Sequence, residues 1–458
     1  MSFIIAILSI EILGILTALF IGRLLKYKFS LIELFSIAFF IGLGGIGCLQ
    51  FLMFLLGVKL AGGFAPTLTI IAFVILLPSI AVSKKYILEF RRPVPFTLLE
   101  QIILAMLFLQ AAWVIFQALP LPIHSYDSLA NFGFKAKIFY FSDGIPGSFF
   151  KWGESVVSHP DYPPLLPLIL TWVYYFIGFN DVLVTKIMPV TYLIFLPLFY
   201  FLLRKFFTRT YSLTGILVFA TIPQVSRYAM ITYADLLLGI FVSIAFMYFM
   251  VYLRGKEVTA LVFSALFFGL SVWIKNEAVV FACVFFLLLI FYLVNLRDIR
   301  RLITVLLVSF FVFIIVSSPW VIFKLYSGLV NSDINIKQLG WDRFLFNLKD
   351  SWKVLYNFQM ELFNLKKWSI FWIIVLLVSV FRRKNIFKGL TSYASFFIII
   401  SAWGYFCAYL CVTSYDVDFY VEKTMSRFML HFCGLFIFLV LSLLNDTGAA
   451  GRVSSEKP

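Results

Sequence analysis

Five polar islands interrupt a sequence that is otherwise almost continuously apolar, and their side chains could serve as acids, bases and phosphate ligands. In the first, HSYDSLANF, Asp127 follows directly on an apolar run. A carboxylate held there can take a proton from a hydroxyl as a general base, or contribute to a cation site. Asp is also favoured at helix starts, so capping the helical run 129–141, which carries Lys135 and Lys137, is the alternative reading. The second island, SHPDYPPLL, holds His159, Asp161 and Tyr162. A turn accounts for its prolines and for Asp161, but not for His159. In the third, TYADLLLG, Asp235 stands at the start of an apolar run, where an unpaired carboxylate at membrane depth costs about 2.5–3.5 kcal/mol. It must therefore pair, for instance with Arg227, or face a polar cavity.

The fourth island, WIKNEAVV, is a turn between two uncharged apolar runs and consists of Lys275, Asn276 and Glu277. Hairpin turns are polar in any case, but acid and base together are more than a turn needs, and the Lys could meet a lipid phosphate. The last island, YDVDFYVEKTMSRFMLHF, contains Asp416, Asp418, Glu422, Lys423, Arg427 and His431. Arg427 opens the final apolar run, where it either snorkels to headgroups or binds an anionic phosphate bidentately.

The elements that position these residues are membrane helices. The 458 residues are 62% hydrophobic, 19% aromatic and only 13% charged, which excludes a soluble globular protein. Apolar runs of about 20 residues recur along the chain, and strand-like alternation is lacking, so the fold class is all-α and polytopic. The net charge of +15 sits largely in short loops between apolar runs, which is the positive-inside pattern and not a nucleic-acid surface. The N-terminus, MSFIIAILSIEILGILTALF, lacks a basic leader and reads as a retained first span. The five cysteines lie inside apolar runs and are expected to pack.

Spans are expected at roughly 2–22, 31–57, 65–83, 99–119, 182–203, 211–228, 236–253, 258–274, 278–295, 302–323, 368–381, 390–412 and 428–445, thirteen in all. The short apolar stretch 165–179 begins with prolines. If it crossed, the basic loops of the second half would all change sides, so it is expected to lie at the interface or re-enter without crossing. With this parity all five islands share the outer face. The expected organisation is an N-terminal three-helix membrane extension over 1–98, a membrane catalytic region over 99–445, and a cytoplasmic tail over 446–458. The catalytic region carries external loops at 120–181 and 324–367.

The order of motifs YDSLANFGFKAK, HPDYPPLLPL, YADLLLG, WIKNE and TSYDVDFYVEKTMSRF resembles the GT-C class of membrane glycosyltransferases. Protein O-mannosyltransferases and lipid A aminoarabinose transferases are the nearest likenesses, over about Leu99 to Leu444. The resemblance implies a GT-C-like fold with external juxtamembrane helices. It further implies transfer of a sugar from a polyprenyl-phosphate-linked donor to a glycan, lipid or protein acceptor, at the outer face of what is expected to be a prokaryotic plasma membrane. Carried onto this chain, it implies Asp127 as the catalytic carboxylate, Asp235 as a supporting residue, and Lys275 and Arg427 as ligands of the donor phosphate. Many members have a second acid directly after the first, where this chain has Ser128, and Asp161 is the residue that could substitute in space. Asp127 and Asp161 are then the pair from which a divalent cation, Mg or Mn, would be held, though these residues do not require one. His159, Tyr162, Glu277 and Asp416 are the candidates for substrate contacts. Two alternatives remain: a lipid-linked glycan polymerase or ligase, with His159 and His431 in the chemistry, and a transporter or flippase using Asp235 and Lys275 as coupling charges.

Overall fold

The computed structural model describes residues 1–59, 95–151, 159–331, 334, 340–412 and 416–445. The described residues are helical with no strand, as an unbroken succession of apolar runs requires in a medium that cannot satisfy backbone hydrogen bonds. Among the described residues eight helices are long and apolar enough to cross a membrane: Ser2–Leu24, Leu31–Leu55, Leu98–Ala118, Asp181–Arg204, Ala234–Gly255, Ala278–Asn295, Ile299–Tyr326 and Gly389–Leu410. A ninth span arises if the pair Val417–Leu430 and Cys433–Leu444, bent by 53°, counts as one. Three shorter apolar helices, Leu165–Ile177, Val258–Ser271 and Phe371–Phe381, complete the set. The chain is thus an all-helical polytopic membrane protein. The span expected at 65–83 and the tail 446–458 lie outside the described residues.

Two expected spans differ in their details. The run 211–228 is divided into Arg209–Thr221 and Pro223–Tyr228, because Pro223 has no N–H to continue the first helix and instead starts the second. The final span does not begin at Phe428. Arg427 lies in the last turn of Val417–Leu430, and the break before Cys433 follows it.

Ala234–Gly255 is the centre of the bundle, buried along its length, and it carries Asp235 in its first turn. Helices Ser2–Leu24 and Leu31–Leu55 form a close pair. A Cβ at Gly14 would lie 1.7 Å from the Ala38 carbonyl oxygen, and one at Gly42 2.0 Å from that of Ile10. Only glycine lets two backbones approach so closely, the small-residue packing that membrane helices use in place of a hydrophobic driving force.

The charged groups separate to two ends of the bundle. At one end Glu33 accepts from Tyr27 (2.7 Å) and Tyr248 (2.9 Å) and lies 4.0 Å from Lys205. Arg254 donates to the Lys205 carbonyl, and Arg209 pairs with Glu100 at 2.5 Å. The basic turns near 26, 205 and 254 therefore meet. The islands around Asp127, Asp161, Asp235, Lys275 and Arg427 gather at the other end, as the ion pairs described below require.

Leu165–Ile177 belongs wholly to that second end. The Leu165 N–H donates to the Trp273 carbonyl, next to Lys275 (3.0 Å). Just past its other terminus Asp181 takes the Tyr174 hydroxyl (2.6 Å), accepts the Ile123 N–H on its carbonyl (3.1 Å) and pairs with Lys137 (2.8 Å). Thirteen residues span about 20 Å as a helix, less than a hydrocarbon core, and both termini are tied to one side.

Candidate active site

The site is built where helix ends and turns meet at the polar end. Asp235 is completely buried. One carboxylate oxygen accepts from Lys275 Nζ at 2.8 Å, and the other takes Arg427 Nε and Nη2, both at 3.1 Å. His431 Nε2 approaches the first oxygen at 3.7 Å, while its Nδ1 is bonded to the Tyr405 hydroxyl at 2.8 Å. Arg427 reaches outward as well: Nη1 pairs with Asp127 at 2.8 Å. Lys275 in turn contacts Glu277 at 3.0 Å and lies over the Phe428 ring. One guanidinium and one ammonium are thus held among three carboxylates, the five groups coming from four different places in the sequence. Such an arrangement compensates the cost of burying each charge.

Exposure grades the cluster. Asp235 and Lys275 are 0% and 4% exposed at the side chain, whereas Arg427 and Asp127 are 16% and 21% exposed. The inner pair is therefore fixed and the outer pair lines the mouth. Asp127 makes no capping hydrogen bond, so the N-cap alternative does not account for it. Its backbone N–H instead donates to the Tyr233 hydroxyl (3.2 Å), and neighbouring Ser128 donates to the Thr232 carbonyl (3.0 Å), which fastens this turn to the start of the central helix. Arg227, the partner considered for Asp235, is exposed.

A second polar group adjoins the first through the WIKNE turn. The Asn276 amide donates to Asp161 Oδ2 at 3.1 Å and accepts from Lys324 at 2.8 Å, and Lys324 lies 3.9 Å from Asp161. Lys135, buried on helix Gly133–Phe141, donates to the His159 carbonyl at 2.6 Å and lies over the Tyr162 ring. Burial pulls its ammonium down to about 7 against the opposing pull of Asp161. His159 itself adopts a left-handed backbone (φ 49°), and its ring stacks on Tyr162 at 4.5 Å. Burial raises the pKa of Glu277, but Lys275 and its other neighbours outweigh this and hold the carboxyl below its ordinary value.

Two cavities meet at this site. A small one of ≈ 140 Å³ is lined by Tyr162, Asn276, Glu277, Asn331, Tyr420 and Phe428, among others. A larger apolar cleft of ≈ 510 Å³ runs along Val354, Phe358, Trp403, Phe406, Met425 and Phe436. Tyr405 and Phe428 line both.

The structure thus brings Asp127, Asp235, Lys275, Glu277 and Arg427 into one cluster, with Asp161, His159 and Tyr162 in the adjoining group. Asp416 is exposed at the start of Val417–Leu430, about three turns before Arg427. Asp127 is engaged by Arg427, and Asp161 by Asn276 and Lys324. Among the described residues no group of three or more His, Cys, Asp and Glu side chains is arranged to hold a metal ion. Lys324 and Tyr405 join the site beyond the residues the sequence singled out, and Asn276 and His431, which stood in the polar islands, are drawn into it. Lys324 carried a usable signal, since it is the first charge after a long apolar run. Tyr405 carried none, being one of 22 tyrosines in an aromatic-rich chain.

Comparison with known proteins gives one family. Residues 159–323 match the model of the dolichyl-phosphate-mannose-protein mannosyltransferase family. No curated protein and no solved structure matches. The matched segment contains Asp161, Asp235, Lys275 and Glu277, and together with the helical membrane fold it supports a GT-C class membrane glycosyltransferase.

Proposed function

We propose that the protein transfers a monosaccharide from a polyprenyl-phosphate donor to an acceptor hydroxyl at the outer face of the membrane. The observation that carries this reading is the junction between the ≈ 510 Å³ apolar cleft and the cluster of Lys275 and Arg427, joined at Phe428 and Tyr405. An amphiphile with an isoprenoid tail and a phosphate head has this division of character. The family's name carries a lipid-phosphate mannose donor, which agrees with it.

In this mechanism the prenyl chain lies in the apolar cleft and its phosphate meets Lys275 and Arg427. Arg427 is engaged by Asp127 before the donor arrives, so phosphate binding recruits the outer guanidinium and frees the carboxylate. Asp127 then accepts the proton of the acceptor hydroxyl as its oxygen attacks the anomeric carbon. The bond from that carbon to the phosphate oxygen breaks, the lipid phosphate leaves with the electron pair, and the configuration inverts. Cations preorganised in a site of low dielectric stabilise the charge that develops on the leaving oxygen, a contribution that is often the largest in catalysis. Asp235 keeps Lys275 and Arg427 in place.

The test is turnover of a radiolabelled polyprenyl-phosphate monosaccharide by the purified full chain. A positioned base contributes about 10² to 10⁴ in rate, so Asp127→Asn is expected to lower turnover by that factor with donor binding retained. Near-normal turnover of this variant would remove Asp127 from the mechanism. Failure of the wild type to bind any polyprenyl phosphate would remove the reading as a whole.

A further inference from the structure

The donor reading makes no use of the turn that joins helices Phe371–Phe381 and Gly389–Leu410, and this turn lies outside the segment that matches the family. Tyr405 lines the candidate site, and Gly389 precedes it by 16 positions, about 24 Å of helix, so the turn stands at the opposite end of the bundle. A cavity of ≈ 510 Å³ opens there, lined by Arg382, Arg383, Lys384 and Lys388 with Asn385 among them. Lys388 Nζ donates to the Asn385 side-chain oxygen at 3.2 Å, which keeps its ammonium at the cavity wall. No Asp or Glu occurs from Leu362 to Tyr415, and among the described residues Arg383, Lys384 and Lys388 form no ion pair. One cation suffices to complement the C-terminus of Phe371–Phe381, whereas four around one concavity concentrate positive potential in it.

Apolar side chains flank these charges. Phe381 and Phe387 are 81% and 57% exposed, and Val380 is exposed beside them. At the end of two membrane helices, exposed rings next to cations stand where acyl chains give way to headgroups. A free anion would engage only the cations, whereas an amphiphile engages both. We propose that this cavity binds the headgroup of an anionic glycerophospholipid. Arg383, Lys384 and Lys388 surround its phosphodiester, and Phe381 and Phe387 lie against its acyl chains. The arginine offers a planar fork to the phosphate oxygens, and the lysines add two point charges. The volume, about seventeen waters at about 30 Å³ each, admits the glycerol ester region together with the phosphate. The site is independent of the donor cluster, which lies at the other end of the bundle.

The experiment counts lipids bound to the full chain in neutral detergent micelles by native mass spectrometry, with phosphatidylglycerol, cardiolipin and phosphatidylcholine as probes and inorganic phosphate as competitor. Each cation beside an anionic headgroup contributes about fivefold in binding. The wild type is expected to bind phosphatidylglycerol or cardiolipin about a hundredfold more tightly than phosphatidylcholine, and Arg383→Gln with Lys384→Gln together should lose about twenty-fivefold of that margin. Lys26→Gln with Lys28→Gln removes the same charge from another exposed turn at the same end and should lose less than about threefold. Equal losses in the two double variants would reduce the effect to general surface charge and overturn the site. Phosphatidylcholine binding as tightly as the anionic lipids would overturn it too. Displacement of the lipid from the wild type by equimolar inorganic phosphate would mark a site for free phosphate and refute the lipid.

Discussion

Removing the charge of Asp235 separates its role from that of Asp127. In Asp235→Asn the shape is kept, but an amide replaces a carboxylate that faces Lys275 at 2.8 Å and Arg427 at 3.1 Å. One amide oxygen can still accept from one cation, whereas the amide nitrogen is a donor turned toward the other. One charge-assisted contact is therefore lost and one weakened, at about 1.5–3 kcal/mol for a full contact. Lys275 keeps Glu277 at 3.0 Å and Arg427 keeps Asp127 at 2.8 Å, so neither cation is left bare. The expected loss is about 3–4 kcal/mol, within the range for breaking one partner out of a buried ion pair. Asp127→Asn removes a carboxylate at the mouth, and the expected loss there is below about 1 kcal/mol. Equilibrium unfolding in mixed micelles, with donor turnover measured on the same preparations, reads both variants. Asp235→Asn should lose stability and turnover together, and Asp127→Asn turnover alone. Equal destabilisation by the two, or none by Asp235→Asn, would refute the division into a fixed inner pair and an exposed outer pair.

Two further outcomes follow from features outside the cluster. Lys135 has a folded value of about 7 against about 10.4 when unfolded, so between these limits the unfolded chain binds more protons and stability rises with pH. Relative to Lys135→Met, the wild type should gain about 1.4 kcal/mol per pH unit above pH 7 and stay level below it; a difference that is constant between pH 7 and 9 would contradict the buried ammonium. Gly14→Ala would drive a methyl into the Ala38 carbonyl and is expected to cost at least about 1–3 kcal/mol, whereas Gly45→Ala, whose added Cβ meets Leu13 at an ordinary 3.5 Å, should be neutral or mildly stabilising. Equal unfolding midpoints for these two variants would argue against the close N-terminal helix pair.

The all-helical membrane class was legible because it depends on composition and run length, which need no tertiary information. The gathering of Asp127, Asp235, Lys275 and Arg427 was legible through loop parity, since helices that cross return alternate loops to one end. Which residues pair was not legible. Asp235 meets Arg427 across 192 positions and Lys275 across 40, and no local pattern distinguishes Arg427 from Arg227 as its partner. The helix Val417–Leu430 was obscured for a different reason. Asp418, Glu422 and Lys423 made it read as loop, although such residues are ordinary on a helix that lies at the polar end of a bundle. Lys324 and His431 were visible as residues, but their roles depend on the turn and the bend that bring them in.

The short helix Leu165–Ile177 has a consequence for how the chain is inserted. A segment of 13 apolar residues is long enough to attract the insertion machinery and too short to be a comfortable span, so its fate is decided by what can hold it in place. Here the holding groups are Trp273 and Asp181, and Trp273 is made well after the segment has left the ribosome. Every helix from Ile187 onward inherits its direction from that outcome. Were the segment to cross instead, Lys205 could not stand beside Glu33, nor Arg427 beside Asp127, because each pair joins a residue before the segment to one after it. The segment acts as the switch that sets the sense of the second half, and the two ion-pair clusters at opposite ends act as its proofreaders.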